Sequence, residues 1–336
     1  MCILAVVVVR SRGVTFDWKL FVRTLYQLDW GSLAVSMLLM LLTYVFRAFR
    51  WQVMLRPTGR DPGIRKLTSD TVIGFTAATF LGRVGEIVRP YLISVSAGVS
   101  FSSQMASWLL ERVLDLMSIL LLFAMALLLA SPRREAAGSE LGWVLNVGGY
   151  LAAFIGILCL ILLVVFRNFS DFAQQRILGA LRALPVKYYE HSRKLITALA
   201  RGLESTRDPR LLGLLAWYTL LLWGAVVGSY YFLFHAFPFL VHLSVTDAVC
   251  ILGFMGFGSL VQLPGVGGGM QVVCILCLTK LYGVPFEAAS GVAIFISFLM
   301  LLVVAPIGML CALHEGWNWP KIKRLAVEQA PKEEFL

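Results

Sequence analysis

Apolar positions in this chain neither alternate nor mark a single helical stripe. They run together. Residues 141–166, 211–234 and 288–313 contain no charged side chain, and 248–279 is also uncharged but too long for one plain span. The hydrocarbon core of a bilayer is about 30 Å thick, so a crossing helix needs about 20 mostly apolar residues. The pattern predicts spans over 31–51, 104–130, 141–166, 211–235 and 286–313. Residues 1–9 are apolar but too short to cross. No basic region precedes them and no cleavage site follows, so they read as the remnant of a first helix and not as a signal peptide.

Two other apolar segments are interrupted. Residues 70–99 contain Leu81-Gly82-Arg83-Val84-Gly85-Glu86-Ile87-Val88-Arg89-Pro90, and residues 248–283 contain Leu263-Pro264-Gly265-Val266-Gly267-Gly268-Gly269. Residues 167–210 are polar, with Leu181, Leu184, Tyr188, Leu195, Leu199 and Leu203 recurring at roughly helical spacing. That pattern suits amphipathic helices lying on the membrane surface. The expected fold is therefore all-α, a single polytopic integral membrane helical bundle over residues 1–336.

Composition agrees. Of 336 residues, 59% are hydrophobic and 14% charged. A soluble domain could not hide so much apolar surface. The net charge of +10 reads as topology, because Lys and Arg gather in particular loops. Segment 167–210 has nine of them against four acids, and 47–66 has six against one. The positive-inside rule places both in the cytoplasm. Counting crossings from there, 70–99 must enter and leave by the cytoplasmic face. With the Lys321-Ile322-Lys323-Arg324 tail inside, 248–283 must enter and leave by the outer face. Two interrupted segments pointing in from opposite sides are the sequence pointer to inverted-repeat transporters. The simpler alternative for each is two short full spans with a tight turn.

Charges within apolar segments are the candidate site. Arg83, Glu86 and Arg89 recur at i, i+3 and i+6, and Glu111 and Asp115 at i, i+4, with Arg112 offset by one. A charge at a helix centre costs roughly 2.5–3.5 kcal/mol on insertion scales, so such residues need partners. The expected pairing sets Arg83 and Arg89 against Glu111 and Asp115, and Glu86 against Arg112. The group is either an ion-pair network pinning the hairpin or an electropositive pocket for an anionic head group, since guanidinium grips phosphate bidentately. In the second interruption seven glycines lie between Gly253 and Gly269. A helix beginning near Gly268 would aim its positive end at the cavity. Cys274 and Cys277 form a CxxC without a second pair or a histidine to complete a metal site, and read as buried small hydrophobes. His191, His235, His242 and His314 are dispersed, no catalytic set stands out, and no metal or cofactor is expected.

At these motifs the chain resembles the lysylphosphatidylglycerol synthase transmembrane region, or flippase-like domain, family. The resemblance rests on Arg50-Trp51, then Gly82-Arg83-Val84-Gly85-Glu86-Ile87-Val88-Arg89, then Glu111-Arg112-Val113-Leu114-Asp115, then Pro264-Gly265-Val266-Gly267-Gly268-Gly269, in that order. It implies about eight membrane segments that move lipids or lipid-linked carriers between leaflets. Larger relatives carry a soluble aminoacyl-transferase domain after this region; the chain ends at Leu336, and lipid aminoacylation is not expected of it. Two positions depart from the pattern: Leu81 stands where Pro is common, and Gln271 where Glu is common.

The sequence thus points to a flippase for an anionic phospholipid or lipid-linked carrier in the cell membrane, with a cytoplasmic C-terminus. The substrate-binding set is Arg83, Glu86, Arg89, Glu111, Arg112, Asp115, Pro264, Gly265, Gly267, Gly268, Gly269 and Gln271. The alternative is a membrane enzyme or accessory subunit of a polyprenyl-phosphate-dependent glycosyltransferase pathway. Membrane lipids are the expected partners. A homo-oligomer, or a separately encoded glycosyltransferase or aminoacyl-transferase, is compatible with the chain, and nothing beyond total charge suggests nucleic acid.

Overall fold

A computed structural model of the protein describes residues 26–129, 208–258 and 268–316, together with 17, 19, 154–158, 161, 179 and 193. The helix remnant expected over 1–9, most of 141–166 and 167–210, the Lys321–Arg324 tail, and Pro264, Gly265 and Gly267 lie outside the described residues, as does the side chain of Arg83. Among the described residues the structure is helix and turn, with no strand.

Helix α1 (Trp30–Leu55) begins where Asp29 accepts from the Gly31 and Ser32 amides at 3.2 and 3.0 Å. These bonds satisfy donors that the first turn leaves open. The Ser32 hydroxyl, with these two amides behind it, holds the Asp29 carboxyl below its ordinary range. Helix α2 (Ile64–Leu81) stops at Gly82, whose φ of 63° no L side chain adopts readily. A tight 3-10 turn over Gly82–Ile87 leads into the short α3 (Val88–Ala97). Gly98, at φ 64°, caps α3, and the long α4 (Phe101–Leu129) follows.

The second half repeats this order. Helix α5 (Pro209–His235) starts with Asp208 as cap and Pro at its first position, which loses no bond there. Helix α6 (Val245–Gly258) is opened by Ser244 and Asp247, which exchange bonds across its first turn. Helix α7 (Gly269–Lys280) has Gly268 as its N-cap, and α8 (Phe286–His314) closes the set. Each half thus has a long helix (26 and 27 residues), a pair of shorter helices, and a second long helix (29 residues in each). By length and composition Trp30–Thr58, Pro209–His235 and Phe286–His314 can each cross a bilayer.

The contacts show that each pair of shorter helices is an antiparallel hairpin. In the first, a methyl on Gly74 would stand 2.4 Å from Arg89 Cβ, one on Gly85 2.3 Å from Ala77 O, and the Ser96 hydroxyl donates to Asp70 at 2.7 Å. In the second, a methyl on Gly258 would stand 2.7 Å from Gly269 O, and the Tyr282 hydroxyl donates to Asp247 at 3.2 Å. The ten residues of α3 reach about 15 Å, and the fourteen and twelve of α6 and α7 about 21 and 18 Å, all short of the core's thickness.

The halves join along α1 and α5, which run antiparallel. The Ser36 hydroxyl donates to Ser229 O at 2.8 Å and the Ser229 hydroxyl returns a bond to Ser36 O at 3.0 Å. Phe49 stacks on Tyr218 at 5.2 Å farther along. The halves also cross over: α8 packs on α2 of the first hairpin, and α4 on α6 of the second. At the first crossing the Thr76 hydroxyl donates to Val304 O at 3.1 Å. At the second, Phe123 meets Phe254 edge-on at 5.2 Å. Reciprocal seam bonds and matched crossings describe two repeats of inverted direction. Cys274 and Cys277 sit in the main apolar core with Phe234, Phe237 and Val292.

Candidate functional site

Helical period puts Arg47, Arg50 and Trp51 on one face of α1, and Glu111 and Asp115 on one face of α4. Arg89 arrives from the first turn of α3, which Gly74 allows close to α2. These six side chains meet. Glu111 is at their centre, with no exposed surface. Arg89 holds it bidentately, Nη1 to Oε1 at 3.1 Å and Nη2 to Oε2. The Trp51 indole N–H donates to Oε2 at 2.8 Å, and Arg47 Nη1 to Oε1 at 3.2 Å. Asp115 accepts from Arg50 Nη1 at 2.6 Å and Arg47 Nη1 at 3.1 Å. Arg50 Nη2 also reaches the Glu111 carbonyl at 3.3 Å. The Arg89 guanidinium lies 5.1 Å from the Trp51 ring and 5.0 Å from Phe75, within cation–π range.

The expected pairing is thus partly met. Arg89 takes Glu111. Arg112 faces away toward Glu86, 3.9 Å off in a half-exposed pair. Among the described side chains, Asp115 is bound by Arg47 and Arg50 of α1, while Arg89 of the first hairpin goes to Glu111. Arg50 and Trp51, at the end of the first span where interface anchors occur, are wholly buried instead. Their signal was their place in the ordered motif set. Glu86 sits in the 3-10 turn and Arg89 in the helix after it, so the shared α-helical face expected for 83, 86 and 89 does not form.

Two spaces adjoin the cluster. A small one of about 80 Å³ lies between Glu86, Arg89, Trp108 and Arg112. A larger one of about 310 Å³ lies at the seam of the repeats. Its wall is mostly apolar, Met255, Met270 and Leu299 included, and Arg47 is its charged residue. The Tyr230 hydroxyl and Trp223 indole N–H, on two residues that line it, are buried without partners. In the second hairpin, Gln271 donates to the Ser297 hydroxyl at 2.8 Å, tying α7 to α8. Gly268 and Gly269 lie at the start of α7, as the glycine pattern predicted. Among the described residues no group of three His, Cys, Asp or Glu is placed to hold a metal ion.

Several apolar helices long enough to cross a bilayer, with ion pairs buried between them, define a multi-pass α-helical membrane protein. Comparison with known families is specific: the profile of the lysylphosphatidylglycerol synthase TM region matches residues 2–308. The chain belongs to that family. No curated protein matches it, and no solved structure does.

Proposed function

We propose that the protein moves an anionic lipid between the leaflets of the cell membrane, the head group crossing between the two hairpins while the acyl chains stay in lipid. One observation carries this reading: a cationic cluster borders a cavity at the seam of two inverted, helix-broken repeats. Transporters of inverted-repeat build bind their substrate at such a seam, near the bilayer midplane. In this reading both hairpins are re-entrant, the first from the cytoplasm and the second from outside, and the C-terminus is cytoplasmic. Irregular backbone at membrane depth is tolerated where protein or a water-filled cavity satisfies it. Glu86, Arg89 and Arg112, which line the smaller space, border the route on one side. Gly268, Gly269 and Gln271 border it on the other, where α7 presents the first N–H groups of its opening turn.

Transport is tested in liposomes carrying labelled anionic and zwitterionic lipids, with wild type, Arg89→Lys and protein-free controls. Lys keeps the charge but not the planar fork. Wild type should move anionic lipid faster than the control, and a folded Arg89→Lys, checked by thermal melt, should move it more slowly. Wild-type rates no higher than in protein-free liposomes would overturn the reading.

A further inference from the structure

The charges of the buried cluster do not cancel. Among the described side chains, Arg47, Arg50 and Arg89 face Glu111 and Asp115, three guanidiniums against two carboxylates. Arg112 and Glu86 form their own pair and do not change the difference. An uncompensated charge away from water is costly, so the surplus needs an anion or water. Its place can be read from the bonds. Arg89 spends both terminal nitrogens on Glu111, and Arg50 spends both on Asp115 and the Glu111 carbonyl; Arg50 Nε is buried without a partner, but Arg50 does not line the larger cavity. Arg47 reaches both carboxylates through Nη1 alone, which leaves Nη2 and Nε for the cavity that Arg47 lines.

The rest of that wall carries no carboxylate to balance them, only hydroxyls and apolar side chains, and it holds further donors. Trp223 Nε1 and the Tyr230 hydroxyl are buried there without a partner. The α1/α5 register, fixed by Phe49 against Tyr218 and Ser36 against Ser229, puts Trp223 about one turn from Arg47 and Tyr230 about 15 Å from it. Trp223 is within reach of a head group seated on Arg47. Tyr230 marks a later station along the seam.

We infer that Arg47 and Trp223 form the head-group site of this cavity, and that the site takes a singly charged phosphodiester lipid. This deepens the transport reading and rests on it for its meaning, but the site itself is a matter of binding. One surplus charge neutralises one phosphodiester. A lipid diphosphate would bring more negative charge than the surplus can balance. A zwitterionic lipid would bring a cation into a wall that already carries one.

The test measures binding, not movement. Purified full-length protein in neutral detergent is melted with short-chain phosphatidylglycerol, with short-chain phosphatidylcholine, with a short-chain prenyl diphosphate and with soluble glycerol phosphate. A ligand that binds only the folded state raises the melting temperature. Wild type should bind phosphatidylglycerol roughly tenfold more tightly than the other three, as expected for one charge-assisted bond. Arg47→Gln leaves two guanidiniums against two carboxylates. It should lose the preference, and its lipid-free melt should fall because two bonds to buried carboxylates go with it. Trp223→Phe, which removes the donor together with part of the ring, should weaken the preference severalfold and still fold. If Arg47→Gln does not fold, Trp223→Phe decides. The inference is overturned if wild type shows no preference, if folded variants keep it, if the diphosphate binds as tightly, or if soluble glycerol phosphate binds as well as the lipid. Preserved binding with no movement in liposomes would overturn the transport reading and leave the site standing.

Discussion

Charge removal within the cluster should be strongly asymmetric, and Glu111→Gln shows why. The wild-type cluster carries one surplus positive charge. Losing the Glu111 charge raises the surplus to two and leaves Asp115 as the one carboxylate set against three guanidiniums, with Arg89 stripped of its charged partner. It also weakens the bidentate grip of Arg89 and the bond from Trp51. Glu111 has no exposed surface and Arg89 is only 3% exposed, so water cannot easily replace what is lost. Breaking a buried pair by removing one partner costs about 3–5 kcal/mol. Glu111→Leu combined with Arg89→Leu removes one charge of each sign and restores the wild-type surplus, so the double variant should recover much of that cost. The assay is a double-mutant cycle by reversible denaturation in mixed micelles. A coupling of roughly 1–3 kcal/mol between the two positions is expected, since contacting residues depart from additivity by that order. Strict additivity would refute the network.

Three further outcomes follow from the packing and the topology. Gly74→Ala should separate the arms of the first hairpin, because its methyl would stand 2.4 Å from Arg89 Cβ and 2.9 Å from Arg89 Cα; overpacking of this kind costs about 1–3 kcal/mol, and an unchanged melt would contradict the close approach. Ser36→Ala and Ser229→Ala should couple by about 0.6 kcal/mol, the mean for interhelical bonds in membranes, and a cycle with no coupling would deny the reciprocal seam bonds. In a cysteine-free background, cysteines near Arg65 and at Ser102 should label from the cytoplasmic side, and cysteines at Thr246 and Val284 both from outside. Labelling of either pair from opposite sides would sink the re-entrant reading for that hairpin.

Local periodicity made part of this site legible. Glu111 and Asp115 share a face because the helix repeats every 3.6 residues, and the one-residue offset of Arg112 turns it toward Glu86 for the same reason. The glycine run announced the start of α7. Partner choice across helices was less legible. Arg47 and Arg50 lie near the end of an apolar run, where basic residues often snorkel to the interface, and nothing local separates that fate from burial against α4. A count would have raised the question: two acids in α4 and two arginines in the first hairpin look balanced only while α1 is left out. The approach of α3 to α2 at Gly74 was likewise hidden, because a glycine inside an apolar helix carries no sign of what faces it.

The symmetry of the backbone is not a symmetry of charge. Helix α1 brings Arg47 and Arg50 to the seam, whereas residues 211–234 of its counterpart α5 contain no charged side chain. The first hairpin likewise carries Glu86 and Arg89 where the described part of the second carries Gln271. Two inverted repeats with equal charge would offer two equivalent head-group sites, one for each leaflet. Among the described residues there is one such cluster, and its charges come from one half. The other half contributes the unpartnered donors and an apolar wall. Each half's last helix packs on the other's hairpin, at Thr76 with Val304 and at Phe123 with Phe254. A rocking of one half against the other would therefore bear on both hairpins at once and expose the same cluster first to one leaflet and then to the other. In such an arrangement the phosphate need not be handed between arginines on opposite sides. Under the proposed transport, it would stay near Arg47 while the access to it changes, which is the economy that an inverted repeat with one charged half allows.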